Sequence, residues 1–89
     1  MINGERKNRI EKIINDNLNP TYLDVIDDSK SHQGHHQAPE MGESHYNVTI
    51  ISKSFIGMNR IEKERKVYKL LNEEFNNGLH ALSLKLSDK

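Results

Sequence analysis

The segment His-Tyr-Asn-Val-Thr-Ile-Ile-Ser at residues 45–52 decides the fold, because its polar and apolar side chains alternate. From residue 46 to residue 50 every second residue is apolar, namely Tyr46, Val48 and Ile50, and Ile51 extends the apolar character to the other face. A period of two is typical of a β-strand that buries one face and leaves the other polar. We therefore predict a half-buried strand here, and the elements on either side of it must supply its neighbours.

A helix and a second strand are predicted before this segment. Residues 5–18 carry apolar side chains at a helical spacing, namely Ile10, Ile13, Ile14 and Leu18. Asn19 precedes Pro20, and a residue before proline is pushed out of the helical region, so the helix should end there. Residues 22–26 then read as a short strand bounded by two aspartates.

A turn, a helix and a last strand are predicted after the segment. Residues 54–57 form a turn with Phe55 as its apolar anchor, and Asn59 and Glu62 have the spacing of a capping box. We predict that the longest helix of the chain begins there and ends at Asn77-Gly78. Its predicted inward residues are Ile61, Val67, Tyr68, Leu70, Leu71 and Phe75. Residues 79–86 alternate again and form the last strand.

These elements define a small α/β (α+β) fold with the order helix, strand, strand, helix, strand. The first two strands should pair antiparallel, whereas the last two are joined through a helix and should be parallel with a right-handed crossover. The result is a three-stranded mixed sheet with helices on one face and the other face partly open. We expect residues 1–89 to form a single domain, as suits a chain of 89 residues.

Composition narrows the class of function. Thirteen basic residues balance thirteen acidic ones, so no net charge draws the chain to nucleic acid or to a membrane. The N-terminus lacks the apolar stretch of a signal peptide, and no segment approaches the ~20 apolar residues of a membrane span. We therefore expect a cytoplasmic protein. Nucleophile and phosphate-binding motifs are missing from the sequence, which predicts that the protein is not an enzyme.

Residues 29–43 form a long loop with the sequence SKSHQGHHQAPEMGE and hold His32, His35 and His36. Loops of this length are often functional. The three histidines fit either a solvated polar loop or a weak zinc or nickel site, although they lack the cysteine or carboxylate partners of a closed structural site. For His45 and His80 the residues alone favour a structural role, with His45 fixing the entry of its strand.

Five linked motifs resemble the BolA family. They are Glu43-Ser44-His45-Tyr46, Ser54-Phe55-Ile56-Gly57, Val67-Tyr68, Glu74-Phe75 and Gly78-Leu79-His80-Ala81-Leu82. That family is similar to the type II KH fold, in which a Gly-x-x-Gly loop approaches nucleic-acid phosphates. Here the turn at residues 57–60 has no second glycine, and Lys63-Glu64-Arg65 replaces the usual Arg-His-Arg. The resemblance therefore supports the fold and weakens a role in RNA binding.

The resemblance implies a partnership with a monothiol glutaredoxin and a shared 2Fe–2S cluster. It implies that His80 is one iron ligand and that a loop histidine is the other, with His36 slightly preferred to His35 and His32 less favoured. The chain has no cysteine, so a glutaredoxin cysteine and glutathione would have to supply the thiolates that such clusters usually need. Imidazole ligands would raise the reduction potential and make the site sensitive to pH. Without a partner we expect a monomer or a weak homodimer.

The helix at residues 60–69 carries five basic and two acidic side chains. The basic set is Arg60, Lys63, Arg65, Lys66 and Lys69. Three interpretations stay open: a solvated helix face, a surface for DNA in a transcriptional regulator, and a docking surface for the glutaredoxin. DNA contact needs a concentrated positive surface, and neighbouring glutamates dilute this one, so docking is the preferred interpretation and DNA is the alternative.

Overall fold

A computed structural model describes residues 5–28 and 45–89. The long histidine-rich loop predicted at residues 29–43 lies outside the described residues. The helices and strands are α1 (Glu5–Leu18), β1 (Tyr22–Asp27), β2 (His45–Ile51), α2 (Arg60–Leu70), α3 (Asn72–Asn76) and β3 (Ala81–Ser87), and a short 3₁₀ turn covers Lys53–Phe55. The predicted order is confirmed, except that the second helix is divided in two.

The three strands form one mixed sheet in the order β1-β2-β3. β1 pairs antiparallel with β2, so that Val25 lies opposite Val48. β2 pairs parallel with β3, so that Val48 lies opposite Leu84. Residues 45–51 therefore supply the central strand, as their alternation predicted.

The core lies between one face of this sheet and the helices. Tyr46, Val48 and Ile50 of β2 are all buried, whereas Asn47 between them is exposed. The helices contribute a complementary set of buried side chains, namely Ile10, Ile14, Leu18, Val67 and Leu71, and the 3₁₀ turn contributes Phe55. Because all of these pack on a single face, the other face of the sheet is left partly open, as predicted, and it carries polar residues together with the exposed Tyr22 and Ile26.

The helix after the turn differs from its prediction in length and in facing. Helical structure is interrupted at Leu71, which leaves α2 with 11 residues and α3 with 5, so that α1 with 14 is the longest helix among the described residues. Ile61 and Tyr68 were predicted to face inward, but their side chains are 60% and 41% exposed. Val67 occupies the inward position, and each residue is rotated about 100° from the one before it, which turns Tyr68 away from the core. The predicted capping box at Asn59 and Glu62 is confirmed.

An ion pair between α1 and α3 joins the two ends of the chain's helical layer. Glu74 is 4% exposed, and its carboxylate accepts hydrogen bonds from Arg6 at 2.9 Å and from Arg9 Nε at 2.8 Å. The hydrogen bonds from Arg9 lower the pKa of Glu74 against the opposing effect of burial, and the charges of Arg9 and Arg6 lower it further. The same contact raises the pKa of Arg9. We call Arg6, Arg9 and Glu74 the Glu74 clamp.

Gly78 leaves space for the Arg6 side chain of the clamp at the end of α3. Its backbone has a φ of 118°, a conformation that side chains rarely adopt, and an added Cβ would lie 3.1 Å from the guanidinium of Arg6. Arg6 also donates a hydrogen bond to the carbonyl of Asn77 at 3.0 Å. The glycine therefore ends the helix and leaves room for the arginine that binds this turn.

We expect Glu74→Gln to lower the free energy of unfolding by about 1–2 kcal/mol at neutral pH, because two guanidinium groups lose a charged acceptor. A carboxyl with a lowered folded-state pKa stabilises the fold above its ordinary pKa of about 4.5, and this contribution is lost as the pH falls through the lowered value. The difference between the wild type and the variant should therefore shrink at about pH 3. Urea unfolding followed by circular dichroism at both pH values measures it.

Glu73→Gln is the matched control, because Glu73 is the exposed neighbour of Glu74 on the same helix. It should change the free energy of unfolding by less than about 0.5 kcal/mol. Equal destabilisation by Glu74→Gln at neutral and acid pH would contradict the role given to the charged carboxylate.

Candidate functional site

Two histidines meet where the two parallel strands begin. His80 immediately precedes β3 and is exposed, and His45 is the first residue of β2 and pairs in register with Ala81. The centroids of the two imidazole rings lie 6.1 Å apart, with an angle of 69° between the ring planes. The parallel pairing of β2 and β3 thus places both rings at one end of the sheet, which we call the histidine end.

The histidine end is also where the chain enters and leaves the histidine-rich segment. The backbone N–H of Asp28 donates a hydrogen bond to the carbonyl of His45 at 2.7 Å. Asp28 and His45 flank residues 29–44, so both boundaries of that segment lie at this end of β2, and the His45 ring lies beside that of His80. This contact also fixes the start of β2 through the backbone of His45, while its half-buried ring lies beside His80.

His32, His35 and His36 lie outside the described residues, but chain length limits where they can be. His36 is eight residues from Asp28 and nine from His45. An extended chain spans at most about 3.3–3.6 Å per residue, so eight residues reach up to about 26–29 Å. This reach excludes neither His35 nor His36, so the choice between them stays a prediction.

The donors described at this end are the two imidazoles of His45 and His80. Within residues 5–28 and 45–89, no three His, Cys, Asp or Glu side chains are grouped so that they could hold a metal ion. His80 is nevertheless exposed at the edge of the molecule, where a group carried by another protein can reach its imidazole. The chain offers imidazole nitrogens and no thiolates, which fits a centre whose remaining ligands come from a partner.

An exposed aromatic side chain lies beside the start of β3. The Tyr68 hydroxyl donates a hydrogen bond to the carbonyl of Leu82 at 3.2 Å, and its ring centroid is 5.5 Å from that of Phe75. Arg65 precedes Tyr68 by three residues on α2, so the two side chains share one side of the helix. Partly exposed tyrosines next to arginines are typical of protein interfaces. The sequence placed Tyr68 in the core, and this surface was therefore not predicted.

The five basic residues predicted as one surface are divided between two sides of α2. Arg60 and Lys63 line a cleft of about 360 Å³ together with Glu64, Leu84, Lys85 and Leu86. Arg65 and Lys69 are both exposed and, four residues apart, lie one above the other away from that cleft. Lys66 is half-buried between the two sides. The helix therefore presents two smaller basic surfaces at different places.

The chain is similar to known proteins in both sequence and fold. A family model described as BolA-like protein matches residues 14–89. The solved structure of the BolA domain of SufE1 from Arabidopsis thaliana superposes with a TM-score of 0.85 at 37% identity, covering 96% of this chain and 94% of that one. Protein BOLA1, chloroplastic, from the same plant is 42% identical over 81 residues, which are 89% of this chain and 51% of BOLA1.

Other relatives differ in length and in name. SufE-like protein 1, chloroplastic/mitochondrial, of Arabidopsis thaliana is 39% identical over 85 residues, which are 91% of this chain and 23% of that protein. The chain thus spans about a quarter to a half of these plant relatives. The DNA-binding transcriptional regulator BolA of Vibrio cholerae is 36% identical over 75 residues, which are 84% of this chain and 67% of the regulator.

Two expectations on location and activity are not decided by these findings. Among the described residues, no helix is long and apolar enough to cross a membrane. The names of the plant relatives include chloroplastic and mitochondrial proteins, so the cytoplasmic location stays a prediction, as does the absence of enzyme activity.

We expect His80→Ala to change the free energy of unfolding by less than about 0.5 kcal/mol, because an exposed ring at the end of a strand leaves no core cavity. Leu79→Ala provides the contrast, since Leu79 is the buried neighbour and its truncation should cost about 2–5 kcal/mol. Urea unfolding of the two variants measures both values. A loss of more than about 1 kcal/mol in His80→Ala would show that this ring has a structural role.

Proposed function

The chain belongs to the BolA-like protein family, and we propose that it is an adaptor that binds a monothiol glutaredoxin and shares a 2Fe–2S cluster with it. In this role the protein takes part in cluster trafficking or in sensing iron and redox state. The cluster is held jointly, so neither protein carries the complete ligand set alone.

The observation that carries this proposal is the exposure of His80 at the histidine end. A ligand for a shared cluster must lie at the surface, on a rigid element, and free of bulky neighbours on the side of the partner. His80 is exposed and directly precedes β3, whose backbone is fixed by pairing with β2. It can therefore present an imidazole nitrogen to the cluster with little loss of conformational entropy on binding.

The second iron ligand is assigned to the histidine-rich segment. His36 is preferred and His35 is the alternative, while His32 is further along the chain from His45. The hydrogen bond between Asp28 and His45 supports this assignment, because it holds the two boundaries of the segment together at the start of β2, where the His45 ring lies beside that of His80. A ligand from a segment anchored in this way needs no change in the sheet in order to bind.

The chemistry of the joint site follows from its ligands. A glutaredoxin cysteine and glutathione supply two thiolates, and two imidazoles from this chain complete a mixed set similar to that of a Rieske centre. The bound cluster supplies one-electron redox chemistry at a potential above that of an all-thiolate centre. The residues of this chain contribute neutral donors and fix their position.

The surface around Tyr68 supports docking of the glutaredoxin. Tyr68 and Arg65 lie on one side of α2, and the hydroxyl of Tyr68 is bound to Leu82, two residues from His80. A partner that contacts this side of α2 therefore also lies next to the histidine end. Arg65 and Lys69 provide charge for orienting the encounter, which affects the rate of association more than the final affinity.

We expect anaerobic co-purification of the chain with a monothiol glutaredoxin and glutathione to give a coloured heterocomplex with its own visible absorption and circular dichroism spectra. His80→Ala should abolish this mixed-ligand spectrum, because an iron atom loses an imidazole ligand that no neighbouring thiolate can replace. His36→Ala should do the same if His36 is the second ligand, and His35→Ala if His35 is. The double variant should remove the spectrum in either case.

His32→Ala is the matched control within the same segment and should retain the spectrum of the wild type. Free energies of unfolding measured on each variant separate the loss of a ligand from the loss of the fold. A native cluster spectrum in His80→Ala would overturn the assignment of this ligand.

A transcriptional regulator is the second candidate, favoured by the name of the Vibrio cholerae relative and by the two basic surfaces of α2. We expect only weak binding to duplex DNA without sequence preference, because Glu62, Glu64 and Glu73 lie among the basic side chains. Fluorescence anisotropy over a range of salt concentrations measures this. The double variant Lys63→Glu, Lys66→Glu should abolish DNA binding and leave the cluster spectrum intact, whereas salt-resistant binding to one sequence would favour the regulator.

A further inference from the structure

The outer edge of β3 has backbone groups that no strand of the described residues pairs. β3 is the last strand of the sheet order, with β2 as its only neighbour among the three strands. The Ser52 N–H donates a hydrogen bond to the carbonyl of Ser87, so the odd-numbered residues of β3 turn their backbone groups toward β2. The even-numbered residues, Leu82, Leu84 and Leu86, therefore turn theirs outward.

Of these three outward carbonyls, that of Leu82 has a partner on a neighbouring helix, and this contact marks where the edge is covered. The Tyr68 hydroxyl binds the carbonyl of Leu82, so α2 covers the beginning of the edge. Leu84 and Leu86 instead border the cleft of about 360 Å³ that Arg60 and Lys63 line from the other side. An exposed strand edge is a template for pairing with a further chain. We call this cleft, with the edge of β3 at residues 84–86, the β3 groove.

We propose that the β3 groove binds an extended, acidic segment of a partner polypeptide, which pairs with Leu84 and Leu86 as a fourth strand. Main-chain hydrogen bonds to a sheet edge supply affinity for any extended peptide, and the flanking side chains select among them. Here Arg60, Lys63 and Lys85 surround the groove, with Glu64 as its one lining acid. Acidic side chains on the added strand complement this charge.

Other occupants fit the groove less well. Glu64 lies 3.2 Å from Arg60 and reduces the positive charge available to a row of phosphates, and a nucleic acid makes no use of outward N–H and C=O groups spaced for a strand. A second copy of this chain would bring its own β3 edge, and with it a second Lys85 and the basic end of α2. Like charges facing each other across an interface disfavour that pairing.

The groove lies at the opposite end of β3 from His80. Six residues separate His80 from Leu86, and a strand rises about 3.3 Å per residue, which places the two roughly 20 Å apart. A segment bound in the groove therefore leaves the histidine end accessible. The groove adds a second binding site to the adaptor and does not depend on the proposed cluster ligands.

The test uses ¹⁵N-labelled full-length chain and two acetylated, amidated octapeptides, one alternating Val with Glu and the other alternating Val with Lys. We expect the acidic peptide to shift the amide resonances of Leu84 and Leu86 and to slow hydrogen exchange at both, because these N–H groups gain acceptors. Lys63→Glu should weaken binding by about fivefold or more, since an attractive charge becomes repulsive. The affinity of the basic peptide for the wild type should be no higher than the affinity of the acidic peptide for Lys63→Glu.

Lys12→Glu makes the same charge reversal on α1, away from the groove, and should leave the affinity for the acidic peptide within about twofold of the wild type. His80→Ala should also bind this peptide normally, which separates failure of the groove from failure of the cluster site. Equal affinity for both peptides, protection of Leu84 and Leu86 that rises with the concentration of the chain alone, or displacement of the acidic peptide by a single-stranded DNA dodecamer would each overturn the proposal.

Discussion

The central position of β2 is the constraint on which the rest of the structure depends. Its hydrogen bonds run to β1 on one side and to β3 on the other, antiparallel and parallel respectively. β1 is antiparallel to β2, so Asp28 at its end donates its N–H to the carbonyl of His45. β3 is parallel to β2 and begins directly after His80, whose ring lies beside that of His45. A slip of β2 by one residue would exchange its buried and exposed faces, which would expose Tyr46, Val48 and Ile50. Burial of these three side chains therefore fixes the register that assembles the histidine end.

The Glu74 clamp fixes the segment of the chain that leads from α3 into β3. Glu74 holds α3 to α1 through its side chain, and its backbone carbonyl accepts hydrogen bonds from Arg6 and from the N–H of Leu79. The buried side chain of Leu79 then anchors the residue directly before His80. His80 thus lies in the chain between a buried leucine and a paired strand, and its imidazole is exposed. Precise placement by rigid neighbours is what a surface ligand needs when its partner arrives from another protein.

Alternation and capping signals were sufficient to predict most of the fold, because each reports one local property of the chain. The alternation at residues 45–52 identified the central strand, and Asn59 with Glu62 identified the start of α2. The facing of Ile61 and Tyr68 was predicted wrongly, because both are apolar and lie at nearly helical spacing. The buried residues of this part of the chain are instead Val67 and Leu71. Hydrophobicity alone does not show whether an apolar residue on a helix lies in the core or on an exposed surface.

The contact between the rings of His45 and His80 depends on the strand order and not on the local sequence around either residue. Each histidine precedes an alternating segment, and the predicted parallel pairing of those segments already implied that their starting residues share one end of the sheet. Considered singly, both rings looked structural; taken with the strand order, they become neighbours. The β3 groove depends on the same step, since only the order of the strands reveals which edge of β3 lacks a partner strand. The two ends of β3 therefore differ in chemistry: an exposed imidazole precedes the strand, Tyr68 of α2 binds the carbonyl of Leu82, and a basic cleft borders the strand at Leu84 and Leu86.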